Sequence, residues 1–167
     1  GMPKTISTFF DEMLSSASLS FKLYSELSIG AYNCILYHGN DSIKKKFLPN
    51  MVKGTWSGTM CLTESVCGTD LGLLKTKAIE QSDGTYKLSG QKIFITSGDH
   101  DLTENIIHLV LARTPDAPSG TKGISLFLVP KIQVKEDGSL GPRNGVSTGS
   151  IESKMGIRGS ATCVLNF

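Results

Sequence analysis

Thirteen residues, MCLTESVCGTDLG from Met60 to Gly72, gather two cysteines, two carboxylates, three Ser or Thr hydroxyls and two glycines. Thiols and carboxylates this close could act as nucleophile and base, whereas glycines and hydroxyls could converge N–H and O–H donors on an anion. The stretch starts as a strand, with Met60 and Leu62 on one face and Cys61 and Thr63 on the other, then breaks into a Gly/Ser/Thr/Asp loop. On residue chemistry alone a phosphate or flavin cradle and a plain polar turn both stay open. A second segment, GQKIFITSGDH from Gly90, sets Phe94 between Ile93 and Ile95 and ends in Thr96-Ser97-Gly98. An aromatic beside a strand-terminal Thr could flank a planar ring, or could simply close a buried strand.

Other signals carry less. GVSTG, Gly145 to Gly149, has the spacing of a nucleophile elbow, but that motif needs a strand before it, a helix after it and a later histidine. LGPRN precedes it, no helical pattern follows and the last histidine is His108, so it reads as a polar loop. Asn40-Asp41-Ser42 sits where a helix cap is needed, and Lys44, Lys45 and Lys46 read as solvated charge on an exposed helix face. His38, His100 and His108 are too scattered to form a ligand set. Neither the G-x-G-x-x-G nor the G-x-x-x-x-G-K-[ST] spacing is present, so any nucleotide must be held by another geometry.

Cysteines at 34, 61, 67 and 163 contain no C-x-x-C pair, which predicts reduced thiols, no metal and a cytoplasmic setting. A net charge of +2 gives no field for nucleic acid, and no apolar run is long enough to span a bilayer. The opening Gly1-Met2 reads as a remnant of tag cleavage ahead of an internal start.

The elements that must position these residues fall into two parts. Apolar residues recur at helical spacing from Ser7 to about Val52, which predicts three helices with breaks near Ser16 to Ser18 and at HGND. Gly39 is expected in the left-handed position that ends a helix, with Asn40 or Asp41 capping the next. Pro49 and Gly54 are expected to end the helical part. From Thr55 the period becomes two, with strand-like runs at 57–63, 75–81, 86–88, 92–96, 106–113, 124–129, 132–135 and 161–167. Asp83-Gly84 and Asp137-Gly138 mark tight turns. Short strands without intervening helices predict an α+β chain: a short N-terminal helical segment followed by an antiparallel β-barrel or sandwich.

MCLTESVCGTDLGLLKTKA followed by YKLSGQKIFITSGD, with YHGNDSIKKKFLPNMVKGTWSGTM upstream, resembles the acyl-CoA dehydrogenase family over essentially the whole chain. TKGISLFLVPK, GPRNGV and SIESKMGIRGSATCVLNF are most similar to its longer members, the type that includes methylmercaptopropionyl-CoA dehydrogenases. The resemblance implies that residues 1–54 are the C-terminal part of an N-terminal helical domain. Residues 55–167 would be a middle β domain, incomplete at its C-terminal end and cut before a C-terminal helical domain. It implies an FAD-dependent oxidation of an acyl-CoA thioester to the 2,3-enoyl-CoA in fatty acid metabolism, with electrons passed to an electron-transfer acceptor protein. The parent is expected to be a homo-oligomer, and the fragment alone is expected to be inactive.

By position, the resemblance assigns Met60, Leu62 and Thr63, with Gly68 and Thr69, to one wall of the flavin. Leu62 and Thr63 would lie at the pyrimidine side and Gly68 and Thr69 at the pyrophosphate. Phe94 and Ile95 would lie against the ring, Thr96 within reach of N5, and Thr69 would also touch the acyl-CoA. Ser65 and Cys67 depart from the Pro and small residue the family often has there. The catalytic base is expected in the missing C-terminal domain, which leaves Glu64 a structural role as an acceptor of loop hydrogen bonds. Two alternatives share the scaffold: an acyl-CoA oxidase, and a flavin-binding relative that has lost dehydrogenase activity and binds a partner.

Overall fold

The computed structural model describes residues 2–167, so Gly1, the first residue of the supposed tag remnant, lies outside the described residues. Two helices open the chain, α1 (Lys4–His38) and α2 (Asp41–Val52). Ser18 has extended backbone angles and divides α1 in two, which gives the expected three helical stretches with a break where the serines cluster. Asn40 Oδ1 accepts the Ile43 N–H at 2.8 Å and caps α2. Gly39, by contrast, is extended (φ −69°, ψ 146°) rather than left-handed. Glycine is needed there because a Cβ would lie 2.6 Å from the Ile35 carbonyl oxygen. Pro49 lies inside α2, against expectation. It is exposed, and so is Lys45, whose carbonyl loses its partner, so water can take the place of the missing N–H.

Ten strands follow: β1 (Trp56–Cys61), β2 (Lys77–Glu80), β3 (Tyr86–Ser89), β4 (Gln91–Thr96), β5 (Asn105–Ala112), β6 (Ser125–Pro130), β7 (Ile132–Val134), β8 (Leu140–Arg143), β9 (Ser147–Ile151) and β10 (Thr162–Asn166). They pair as β1-β5-β6, β4-β10-β9, β2-β3 and β7-β8. Gly84 and Gly138 have positive φ and turn the two hairpins at the expected Asp-Gly pairs. GVSTG, expected as a polar loop, instead runs into a strand: β8 ends at Arg143, β9 takes Ser147–Ile151, and only Asn144, Gly145 and Val146 lie between them. The β1–β5 pair is parallel, where antiparallel pairing was expected throughout. Parallel neighbours need a crossover, and here the β2–β4 segment supplies it instead of a helix.

β5 is buried along nearly its whole length because both of its faces are covered. On one side Ile107 and Leu109 join Trp56 against Ala31, Ile35, Phe47 and Met51 of the helices. On the other, Val110 joins Cys61, Ile95, Cys163 and Leu165 from the β4–β10 sheet. Gly58 brings β1 close against α1, since a Cβ there would lie 2.4 Å from the Ala31 Cβ. The Gly58 N–H instead donates to Ser28 Oγ at 3.0 Å. Replacing Gly58 with Ala should therefore lower unfolding free energy by roughly 1–3 kcal/mol. Ala31→Gly in the same chain should recover part of that loss, less about 1 kcal/mol for a glycine within a helix. Urea melts of the two single variants and the double variant test this, and additive losses would show that the contact is not the cause.

Candidate functional site

The strand β1 runs out after Cys61, and Glu64 closes a tight turn: Glu64 N–H donates to Cys67 O at 2.8 Å and Cys67 N–H to Glu64 O at 3.1 Å. The Glu64 side chain, 6% exposed, folds back beneath this turn. Four donors converge on its carboxylate: Lys75 N–H on Oε2 at 2.8 Å, and Thr76 N–H, the Thr76 hydroxyl and the Lys92 ammonium on Oε1 at 3.0, 2.5 and 2.8 Å. Only an ionised carboxylate accepts in all these directions, so Glu64 is occupied structurally, as the loop reading expected. Burial alone would raise its carboxyl pKa; the Lys92 and Thr76 side chains and the backbone N–H groups outweigh burial and hold it below the ordinary 4.5.

The cysteines do not form a reactive cluster. Burial pushes the Cys61 thiol up to about 12, Cys67 is buried, and all four cysteines are free. Beside Cys61 lies His108, wholly buried with Nδ1 2.8 Å from Thr59 Oγ1, and burial pushes it down to about 3. It is a neutral core histidine. No group of three or more metal-ligating side chains gathers among the described residues.

The second segment is tied directly to the first. Lys92 has no exposed surface and bonds both Glu64 and the Leu62 carbonyl, the latter at 3.1 Å, while Ile93 N–H donates to Thr63 O at 2.9 Å. Within β4 the pairing with β10 slips: Ile95 faces Cys163 and Lys92 faces Leu165, so Ile93 and Phe94 together oppose Val164. That is a β-bulge, and Phe94 sits in it at φ 60° with 59% of its surface exposed. A bulky residue with positive φ is an outlier of the kind that clusters at ligand sites. Beyond it Ser97, also at positive φ, turns the chain; its N–H donates to Ala161 O at 2.7 Å. Tyr24 of α1 holds that same stretch by donating to Gly159 O and accepting from Ala161 N–H.

The expected site residues thus divide. Thr63 and Thr96 are half-buried, and Gly68 and Thr69 are exposed. Among the described residues the chain's own hydrogen bonds leave the three threonine hydroxyls and the Gly68 and Thr69 N–H groups unengaged, while neighbouring Asp70 accepts from Gly72 N–H. Leu62 is half-buried, and Met60 packs toward the helical core. The Ile95 side chain is 2% exposed inside the core, which leaves only its backbone to meet a ring. The bulge inverts the alternation, which puts Lys92 and Ile95 inside and Phe94 out. Lys92 was not anticipated. A lysine directly before the apolar run of Ile93, Phe94 and Ile95 was the available signal. Two concavities lie away from these residues, one on α1 at Phe10, Met13, Leu14 and Ala17 and one beside Arg113.

Comparison with known proteins matches residues 59–167 to the acyl-CoA dehydrogenase middle domain. The chain belongs to the acyl-CoA dehydrogenase family. It is 47% identical over all its 167 residues to the 3-methylmercaptopropionyl-CoA dehydrogenase of Ruegeria pomeroyi and spans 28% of that protein's length. Its fold is similar to butyryl-CoA dehydrogenase from Megasphaera elsdenii, with TM-score 0.73 and 34% identity over 94% of this chain and 37% of that one. It is also similar to an acyl-CoA dehydrogenase complexed with FAD from Bacillus anthracis, with TM-score 0.72 and 29% identity over 99% of this chain and 25% of that one. In this chain no described helix is long and apolar enough to cross a membrane.

Because the folded state depresses the Glu64 pKa, the stability it contributes is present above the unfolded value and is lost as pH falls below about 4.5 and through the lower folded value. Glu64→Gln should lower stability at neutral pH, by about 3 kcal/mol or more as for one broken partner of a buried pair, and should flatten the acid limb. Denaturant melts from pH 7 to pH 3 measure both. An acid limb of unchanged steepness would show that another carboxylate controls it.

Proposed function

We propose that this chain supplies the flavin-binding wall of an FAD-dependent acyl-CoA dehydrogenase that converts an acyl-CoA thioester to the 2,3-enoyl-CoA. Residues 1–54 are read as the end of the helical domain and 55–167 as the middle β domain. The observation that carries the reading is the bulge at β4: a strained backbone turns an aromatic ring outward, beside two threonines with unengaged hydroxyls and a loop with unengaged N–H groups. The FAD bound in the Bacillus anthracis relative supports the choice of cofactor.

The residues fit such a group. Phe94 offers an apolar face for the planar ring, and Thr96, one residue past the buried Ile95, offers a hydroxyl at the end of β4. Leu62 and Thr63 line the pyrimidine side. The N–H groups of Gly68 and Thr69 suit the pyrophosphate, because backbone dipoles can bind an anion with no charged side chain beside it. Thr69 is read as meeting the acyl-CoA as well. Bound there, FAD would supply the hydride acceptor for the β hydrogen, with the protein aligning substrate and ring. Glu64 is fully engaged, so the base that takes the α proton is assigned to a part of the parent outside residues 1–167. The electron acceptor is read as an electron-transfer protein, and the parent as a homo-oligomer in the cytoplasm.

The parent protein should be yellow and carry stoichiometric FAD, while residues 1–167 alone should retain little. Gly68→Val and Thr96→Val should each weaken FAD binding by roughly tenfold, the loss of one hydrogen bond or of close backbone approach. Only Thr63 Cγ2, at 3.5 Å, stands near a Cβ at Gly68, so that variant should fold normally. Flavin content and melting temperature are read together; full flavin in both variants would remove these positions from the site.

A further inference from the structure

We propose that Lys92 is a positioning residue for the bound flavin, its buried ammonium fixing the two walls of the site relative to each other. The inference rests on the flavin reading and adds a residue that touches neither cofactor nor substrate. Lys92 lies in β4 two residues before Phe94, yet its ammonium reaches the Leu62 carbonyl at 3.1 Å and the Glu64 carboxylate at 2.8 Å, 28 residues away along the chain. Both acceptors belong to the first wall. Leu62 and Thr63 are the pyrimidine-side residues, and the Glu64 turn leads directly into Gly68 and Thr69. Because the Lys92 side chain is entirely buried, no water can replace either bond if the walls shift.

A buried ion pair is weak evidence for stability, since apolar residues of similar size often serve the fold as well. What apolar contact lacks is direction. Each hydrogen bond from the ammonium fixes a distance and an angle between segment 62–64 and β4, and a misplacement of about 1 Å at a reacting site can cost on the order of a hundredfold in rate. The carboxylate extends the arrangement to a third segment through Lys75 and Thr76. One lysine thus holds the backbone that precedes the pyrophosphate loop against the strand that carries the ring-facing aromatic.

The test uses the full-length flavoprotein with Lys92→Met, which keeps the apolar stem and removes the ammonium. FAD affinity of the apoprotein, the visible absorption band of bound flavin and apoprotein melting temperature are compared with wild type and with Leu109→Ala, a core variant on the helical side. Lys92→Met should weaken FAD binding about tenfold or more and shift the flavin band, whereas Leu109→Ala should lower melting temperature with affinity within about twofold of wild type. Equal affinity losses at equal melting losses would overturn the proposal. If Lys92→Met does not fold, Thr76→Val takes its place by removing one donor to Glu64; an unchanged affinity and flavin band there would overturn it equally. A wild-type protein that binds no FAD would instead overturn the flavin reading itself, a result visible before any variant is made.

Discussion

The buried pair of Glu64 and Lys92 is the constraint on which the rest of the candidate site depends. Two segments, the turn after β1 and the start of β4, are joined by the Ile93–Thr63 backbone bond and meet at one carboxylate and one ammonium. Neither charge could be buried alone, since an unpaired carboxylate or ammonium in the interior costs several kcal/mol and would shift its protonation instead. The two therefore fold together or not at all. Their shared bonds to Leu62, Lys75 and Thr76 close the loop from 64 to 76 on a polar base. The apolar cores on either side of β5 give the protein its stability, but they say nothing about how residues 63 and 94 face one another.

Helices, hairpins and most strands were legible in the sequence because their signals are local. Hydrophobic period, an Asn cap and two Asp-Gly turns each act over a few residues, and each was found where the pattern put it. What escaped was set by partners far along the chain. Gly39 looked like a left-handed helix end, but a close carbonyl is what demands glycine there. The β8 and β9 strands are rich in Gly, Pro and Ser, residues with little strand preference, and β9 is held by β10 rather than by its own propensity. The parallel β1–β5 pair could not be seen from runs of alternating residues, which look alike in either direction.

The same distinction explains the candidate site. Gly68, Thr69, Thr63 and Thr96 were visible as candidates because hydroxyls and glycine have their chemistry wherever they stand. The inward facing of Ile95 and Lys92 was not visible, because a single bulge at 93–94 reverses which faces the strand presents. Strict alternation would send Lys92, Phe94 and Thr96 to one side and Ile93 and Ile95 to the other. The extra residue instead takes Lys92 into the interior together with Ile95 and leaves Phe94 outside. The bulge at once creates the exposed aromatic and buries the lysine, so the apparent outlier and the unexpected cation have one cause.

That coupling also settles a question of charge. On the flavin reading, the loop at Gly68 and Thr69 receives a pyrophosphate, and Glu64 lies only four residues away on the same loop. A bare carboxylate there would oppose the anion through a medium far less screening than water. Pairing with Lys92 makes the buried cluster neutral overall, and the Asp70 carboxylate is turned toward the Gly72 N–H. The surface left for the ligand then consists of N–H groups, hydroxyls and one aromatic ring. A cofactor that is anionic at one end and planar and weakly polar at the other matches such a wall along its length. The Glu64 carboxylate that made this stretch resemble a catalytic centre is thus held where it neither catalyses nor repels.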